Sequence, residues 1–507
     1  MSDSLQTSFD QLCDYARETA LLSSIASLLE WDERTMMPEK AGPYRAEQIP
    51  SLAGRLHERW TDPRLGELVG QLSESSLADD RHSDIGTTIR EIKRQYDKKT
   101  KLPQALVEEI ARTSVLGQQA WQRARQDDDF AAFRPLLEKT VTLKQQEADA
   151  LGYDECRYDA LLDDFEPGES TSNVRRVLEG LREELVPLVA ELTARTRRPD
   201  TSILRRNYPV EAQATFGVQA ADRIGFDFDA GRLDVTAHPF CAGMGPLDCR
   251  LTTHYYPEFF PAAFFGTLHE AGHGIYDQGL RTDQYGLPPG DSVSLGIHES
   301  QSRMWENLVG RSRSFWEHFF PAAQKAFPGA LSEVSVDDFF FAINNVEPSL
   351  IRIEADEATY NLHILIRFEL EQALVHDELA VADLPAAWNE KYQGYLGISP
   401  PNDADGVLQD IHWSGGALGY FPTYSLGNLY ASQFFEQAGE DLGDLDDMFR
   451  RGEFAPLRVW LRENIHRPGC CYSAAELVEK VTGKPLSHAP LMRHLRSKLG
   501  TLYGVEG

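Results

Sequence analysis

The sequence predicts a mostly α-helical protein built as a single unit, with one small β-sheet placed just before a helix that carries two histidines. Three observations carry this. Apolar positions recur at three- and four-residue intervals through long charged stretches. No fixed-period repeat, low-complexity linker or composition shift divides the chain, so residues 1–507 read as one domain. Extended-type sequence is confined to roughly 231–256, where Asp234-Val235-Thr236 and Arg250-Leu251-Thr252-Thr253-His254-Tyr255 are rich in β-branched and aromatic residues.

Taken in order, residues 4–30, 42–60, 83–99, 103–126, 129–150 and 171–197 have the helical period. Breaks fall at Met37-Pro38-Glu39, Asp62-Pro63, Leu102-Pro103 and Glu166-Pro167-Gly168, where proline or glycine stops a helix. The apolar run Phe259-Phe260-Pro261-Ala262-Ala263-Phe264-Phe265 then leads into His269-Glu270-Ala271-Gly272-His273, with Pro261 suited to a first helical turn and Gly279 to a stop. After the loop Gly286-Leu287-Pro288-Pro289-Gly290-Asp291, Ser294 through Asn307 predicts a second helix. Ile351 opens a third, running toward Val375, whose acids read as a solvated face.

The chemistry sits on the first two of these. Residues i and i+4 share a helix face, so His269 and His273 can reach one metal ion. A catalytic zinc takes three protein ligands and keeps a position open for water, and Glu299, in the pair His298-Glu299, is the natural third. Glu270, beside the first histidine, is placed to act as general base on the metal-bound water, whose pKa the ion lowers to about 7. Gly272 and Gly274 each weaken the helix by roughly 1 kcal/mol relative to Ala, and their use is to let another backbone or the substrate approach closely. An Asp stands one turn beyond the ligand Glu in many zinc peptidases of this architecture, but here that place is Arg303. The spacing therefore names no partner for the ligand histidines, and Asp277, one turn after His273, is the candidate.

Further polar groups cluster around these helices. In a strand, Asp248, Arg250 and Thr252 share a face, and an Arg there can grip a peptide's C-terminal carboxylate with Thr252 adding a hydrogen bond. An internal Asp248–Arg250 pair holding the sheet edge is the alternative. A strand exposed at the sheet edge would also pair with an extended substrate. Arg352 is a second cleft arginine. His412, in Gly406-Val407-Leu408-Gln409-Asp410-Ile411-His412-Trp413, and the tyrosines Tyr420 and Tyr424 beyond a glycine-rich turn can donate to a developing oxyanion.

Composition sets limits on partners. Lys and Arg number 50 against 79 Asp and Glu, a formal charge of −29, which disfavours nucleic acid and anionic membrane surfaces. The chain is 42% hydrophobic and 25% charged, ordinary for a globular protein. Six scattered cysteines with no CxxC spacing, no apolar run of about 20 residues and no signal-like N-terminus predict a reduced, cytoplasmic protein.

Together, HEAGH, GIHESQSRMWEN, DCRLTTH, IRIEADEATYNLHI and GVLQDIHW resemble the Taq-type (thermostable carboxypeptidase 1) family of metallocarboxypeptidases. Glu30-Trp31-Asp32 through Met37-Pro38, and Tyr158 through Gly168, fit the same pattern. The resemblance implies a helical clamshell or saddle with a deep groove, of the angiotensin-converting-enzyme and neurolysin type. It implies a homodimer that removes C-terminal amino acids one at a time from peptides, with broad specificity. It assigns zinc to His269, His273 and Glu299, with Co2+ or Mn2+ able to substitute, and proton transfer to Glu270. It makes Arg250 and Arg352 candidates for the substrate carboxylate, and His412 and Tyr424, with Tyr420 as competitor, for the tetrahedral intermediate. The N-terminal helices, about 1–100, are a possible lid over the groove. Internal cleavage by the same constellation, and a catalytically idle peptide-binding scaffold, stay open on sequence alone, although an idle relative has no need of Glu270.

Overall fold

The computed structural model describes residues 3–505. Its first half follows the apolar periodicity, with helices at Asp3–Thr35, Gly42–Trp60, Asp84–Lys101, Gln104–Asp127, Phe130–Leu151 and Thr171–Ala194. The breaks act through local chemistry. The Asp62 carboxylate accepts the Arg64 N–H and Pro63 opens a helix, Pro63–Ser73, that the periodicity does not single out. Ser83 and Ser170 cap their helices in the same way, accepting from Gly86 and Asn173.

The sheet has three strands, β1 (Gly231–Val235), β2 (Cys241–Gly245) and β3 (Asp248–Thr253), in the order β1-β3-β2. β1 runs parallel to β3, pairing Arg232 with Arg250, and β2 runs antiparallel to it, pairing Gly243 with Cys249. The strand carrying Arg250 is therefore central. Both of its edges are hydrogen-bonded, so the sheet edges open to an incoming peptide strand are β1 and β2.

Directly after the sheet comes the metal helix, Phe260–Gly279. Its lead-in is anchored by aromatics: Phe260 stacks on Phe264 with centroids 5.0 Å apart, and Phe264 on Phe216 at 5.2 Å. Trp316 lies 5.2 Å from Phe264 and 4.5 Å from Phe339. Phe260 and Phe264 are 1% and 3% exposed, and burying each stabilises the fold by about 2 kcal/mol. The helix opening is thus fixed in a rigid aromatic cluster, and its polar second half is carried by that anchor.

Two predicted elements differ. The second helix is α-helical only over Leu295–Arg303, and Met304–Val309 continues as a π-helical turn. From Ile351 no long helix starts. A 3-10 turn spans Arg352–Glu354, and Asp356 then accepts the N–H groups of Ala358 and Thr359, so that the helix proper is Tyr360–Val375. Of the acids expected on a solvated face, Glu354 is exposed but Glu357 is not. Glu357 is buried against Lys498 and accepts from His494 at 2.9 Å, tying this loop to the C-terminal helix Ala489–Tyr503.

Most of the chain shares one core, but the N-terminal helices have their own, in which Leu12, Leu65, Val69, Leu72, Ile89 and Ile92 pack with Leu287 from the main body. Ion pairs join the two parts, among them a two-bond Arg281–Asp84 contact at 2.7 Å and 2.7 Å. Among the described residues no helix is long and apolar enough to cross a membrane.

Although burial pushes it up, Lys498 and His494 hold the Glu357 carboxyl at about 2. A depressed carboxylate contributes stability that is present above the ordinary carboxylate range and lost as pH falls toward 2. Lys498→Met leaves the Glu357 carboxylate with His494 as its remaining partner and should cost about 2 kcal/mol at neutral pH in denaturant unfolding, with the deficit shrinking in acid. An unchanged unfolding midpoint would show that the pair contributes nothing.

Candidate metal centre

The site is made by two helices held unusually close. A Cβ on Gly272 would lie 2.6 Å from the Gln301 carbonyl oxygen and 2.6 Å from Ser302 Cα, so only glycine lets the metal helix meet the backbone of the second helix here. Of the two uses expected for this glycine, it is the approach of another backbone that is realised. Gly274 instead faces Phe226 and Leu251. Opposite, Gly427 on the helix Pro422–Leu442 makes room for the Glu299 side chain, whose Cγ would stand 2.5 Å from a Cβ there.

The start of the second helix is pinned from a distance. The Ser294 hydroxyl caps it by accepting the Ile297 N–H at 3.0 Å. Buried Glu166 accepts in turn from the Ser294 hydroxyl, the Gly296 N–H and the Tyr430 hydroxyl, at 2.8, 3.0 and 3.0 Å. The Glu166-Pro167-Gly168 break therefore does more than end a helix, since it supplies the carboxylate that fixes where Glu299 stands.

Glu299 Oε2 lies 3.6 Å from His269 Nε2 and 3.5 Å from His273 Nε2, and the three ligand atoms fall within 4.8 Å of one another. The hydrogen bonds set the tautomers that a metal requires. His269 Nδ1 donates to Glu306 Oε2 at 2.9 Å, leaving its Nε2 lone pair toward Glu299. His298 Nε2 donates to Asp277 Oδ1 at 2.9 Å, so its Nδ1 accepts from His273 Nδ1 at 2.6 Å, and the Nε2 of His273 also keeps its lone pair. Two imidazole nitrogens and one carboxylate oxygen converging in this way form a donor set that could hold one divalent metal ion.

Three acids crowd this point, and their protonation answers to it. Burial pushes Glu270 up to about 7. Burial opposes charge on Glu299 as well, but Arg303 and His269 hold it well below the usual carboxylate range. Arg303 Nε donates to Glu299 Oε1 at 2.6 Å, which leaves Oε2 for the histidines. The position at which an Asp is the alternative thus orients the Glu299 carboxylate rather than a histidine. For His269, burial lowers the pKa, yet Glu299, Glu306 and Glu270 raise it to about 9, the response of an acid-rich cluster that favours a cation at that nitrogen. His273, buried and facing His298, is lowered to about 4.

The remaining residues form a second cluster that reaches the first through Arg303, whose guanidinium carbon sits 4.3 Å from the Tyr360 ring. Tyr360 accepts from Arg352 Nη1 at 3.1 Å, and Arg352 donates to Asp410 through Nε and Nη2 at 3.0 and 2.9 Å. His412 Nδ1 is 3.8 Å from Asp410, and its ring stacks on Tyr420 with centroids 5.3 Å apart. The Tyr424 and Tyr420 hydroxyls are 3.3 Å apart. His412, Tyr420, Tyr424 and Arg352 are therefore one group.

The strand residues lie apart from that group. Arg250 makes two bonds to Asp248, at 2.8 and 2.9 Å, and covers the Trp31 ring at 4.5 Å, joining the sheet to the N-terminal helix. This is the internal pair that the sequence reading weighed against substrate binding. Thr252 departs from its expected role. Fully buried, it donates its one hydroxyl proton to the Phe240 carbonyl at 3.0 Å and accepts the Phe240 N–H at 2.7 Å, so it has no proton to offer a substrate.

The residues that sequence reasoning missed are Glu306 and His298 as orienting groups. Asp277 is right in outline, but it acts on His273 only through His298. Glu306 stands seven residues beyond Glu299, two helical turns on the same face, and that spacing was a readable signal.

Fold and site together define a metal-dependent peptide hydrolase of the HExxH type with a distant third ligand. The chain belongs to the Carboxypeptidase Taq (M32) metallopeptidase family, whose model matches residues 11–499. It is 48% identical to the thermostable carboxypeptidase 1 of Thermus thermophilus over 98% of its own length and 99% of that protein's. Its identity to carboxypeptidase 1 of Bacillus subtilis is 40%, over 97% of each chain. The crystal structure of the M32 carboxypeptidase from Deinococcus radiodurans matches with a TM-score of 0.95 at 39% identity, covering 98% of this chain and 100% of that one. The protein is accordingly a metallocarboxypeptidase.

Glu306→Gln and His298→Phe should keep all three ligand side chains yet lower metal affinity by roughly 10–100-fold, read by competition with a chelator. Native affinity in both variants would remove the orienting role from these residues.

Proposed function

We propose that the protein is a zinc-dependent carboxypeptidase that shortens peptides one residue at a time with broad specificity, using Glu270 as its base. The observation that carries this is the convergence of His269 Nε2, His273 Nε2 and Glu299 Oε2, with Glu270 buried beside them. A zinc ion held by these three residues would polarise the scissile carbonyl and lower the pKa of water to about 7, and Co2+ or Mn2+ could take the same donors.

Glu270, one residue from the first ligand, takes the proton of the attacking water and returns it to the leaving amine. Burial already raises its pKa to about 7, which suits a group that must accept and release a proton near neutrality. Tyr424, Tyr420 and His412 are the donors assigned to the developing oxyanion, and Arg352 and Asp410 hold that group in register. For the substrate carboxylate we favour Arg250 over Arg352. Arg352 has partners on Nε, Nη1 and Nη2, whereas Arg250 leaves Nη1 outside its pair with Asp248. Asp248 then acts by holding the guanidinium flat against Trp31.

The test is digestion of one mixed-sequence peptide, free and amidated at its C-terminus, followed by mass spectrometry. A ladder from the free C-terminus alone is expected, abolished by a chelator and by Glu270→Gln, which keeps its metal but loses orders of magnitude in rate. Because the base must be deprotonated, kcat/KM should fall as pH drops below about 7, or somewhat lower once a bound cation further depresses Glu270. Equal internal cleavage of both peptides would identify an endopeptidase instead, and near-normal turnover of the Glu270 variant would refute the base assignment.

A homodimer in the reducing cytoplasm completes the proposal. Leu21, Ile25 and Leu28 are 58%, 48% and 40% exposed at helical spacing on Asp3–Thr35, and the neighbouring helix Gly42–Trp60 has no buried residue, so a second copy has an apolar face to cover. Leu21→Asp with Ile25→Asp should halve the mass seen in sedimentation, and a native protein that sediments as a monomer would dismiss the dimer.

A further inference from the structure

Beside the metal centre lies a second group of metal-type donors that the peptidase reading does not use. Cys241 on β2 and Cys249 on β3 sit diagonally across the antiparallel pair, because Gly243 rather than Cys241 is the direct partner of Cys249. Both side chains point to the same face, and their sulfurs are 3.5 Å apart. That face packs on the metal helix, where Asp277 Oδ2 is 3.9 Å from each sulfur. The two oxygens of Asp277 divide their work, Oδ1 taking His298 and Oδ2 facing the thiols. Gly243 keeps the space in front of that carboxylate clear, since a Cβ there would come within 3.2 Å of Oδ2. Cys249 is 3% exposed and Cys241 is partly buried, so the pocket is shielded on one side and open on the other.

The geometry points to a second metal site, formed by Cys241 Sγ, Cys249 Sγ and Asp277 Oδ2, for a thiophilic divalent cation such as Zn2+ or Cd2+. The spacings support this. With metal–sulfur bonds of about 2.3 Å and tetrahedral angles, two thiolates on one zinc stand about 3.8 Å apart, and a thiolate and a carboxylate oxygen about 3.6 Å. The observed separations of 3.5 and 3.9 Å bracket these values, so binding needs side-chain adjustments of a few tenths of an ångström and no movement of the sheet. Two sulfurs with one oxygen select a softer ion than the two nitrogens and one oxygen next door, and exclude Mg2+ and Ca2+, which take oxygen ligands. On binding, two S–H bonds break, two metal–sulfur bonds form, and both protons leave to solvent. The fourth position is left to water on the partly exposed side of Cys241. The site shares Asp277 with the relay that ends on His273, so the two ions would sit on either side of one carboxylate–imidazole chain.

The test uses the full-length protein with one equivalent of Zn2+ in place, kept under a non-metal-binding reductant and titrated with Cd2+. One further equivalent should bind, with a thiolate-to-cadmium charge-transfer band in the ultraviolet. The band should survive Cys470→Ser with Cys471→Ser, which removes the other neighbouring thiol pair, and also His269→Ala, which disables the first site. It should vanish in Cys241→Ser with Cys249→Ser. Cys241→Ala, at the more exposed strand position, guards against misfolding. With an unchanged melting temperature it should weaken cadmium binding by more than the roughly tenfold expected of an outer-shell change. A band that persists without Cys241 and Cys249, or native protein that develops none, would overturn the proposal. Because every readout is metal binding and none is peptide cleavage, the result stands or falls separately from the peptidase assignment.

Discussion

The structure depends on one close approach, that of the metal helix to the second helix at Gly272. A single methyl group at that position would collide with the backbone at Gln301 and Ser302, and the helices would have to move apart. Glu299 lies just upstream on that same segment, so its distance to the two imidazoles follows from this contact. Gly427 and Glu166 act on the same coordinate from other directions, one by making room for the Glu299 side chain and the other by fixing the helix end behind it. The helix propensity given up at such glycines, roughly 1 kcal/mol each, is small beside the precision it permits in a ligand that must sit within a few tenths of an ångström.

Electrostatics accounts for the rest of the centre. Glu270 and Glu299 are buried and Glu306 is partly so, and three uncompensated carboxylates at such range would not stay ionised together. Arg303 resolves the conflict by pairing with two of them, and Glu306 passes its charge on to His269. Glu270 is left as the acid without a pairing cation of its own, and burial raises its pKa. One local field therefore keeps Glu299, the proposed ligand, ionised and Glu270, the proposed base, near neutrality, through the presence or absence of one guanidinium.

The residues proposed for the oxyanion rest on a different kind of support. Asp410 is buried between Arg352 and Arg367 and stabilised by both, so His412, Tyr420 and Tyr424 stand on a rigid charged platform rather than on a loose glycine-rich turn. On the sheet, Arg250 is held between Asp248 and Trp31, and Trp31 brings the N-terminal helix into contact with the sheet.

By itself the sequence determined the local chemistry: the long helices, the proline and serine boundaries, the i, i+4 histidines, and Glu270 and Glu299 as their companions. These follow from periodicity and spacing, which are properties of a chain segment and its neighbours. Thr252, Glu357 and the stretch after Ile351 were misjudged because their surroundings come from Phe240, from Lys498 and His494, and from the cap made by Asp356, none of which local pattern reveals. Glu306 was within reach of spacing, but the relay from His273 through His298 to Asp277 was not, since it needs two helices at a known separation. Nor could spacing show β3 to be the central strand, or bring Cys241 and Cys249 together against Asp277. Only the tertiary structure decided these points, because hydrogen bonds and ion pairs between distant segments depend on distances that the packing of glycines and aromatic rings sets.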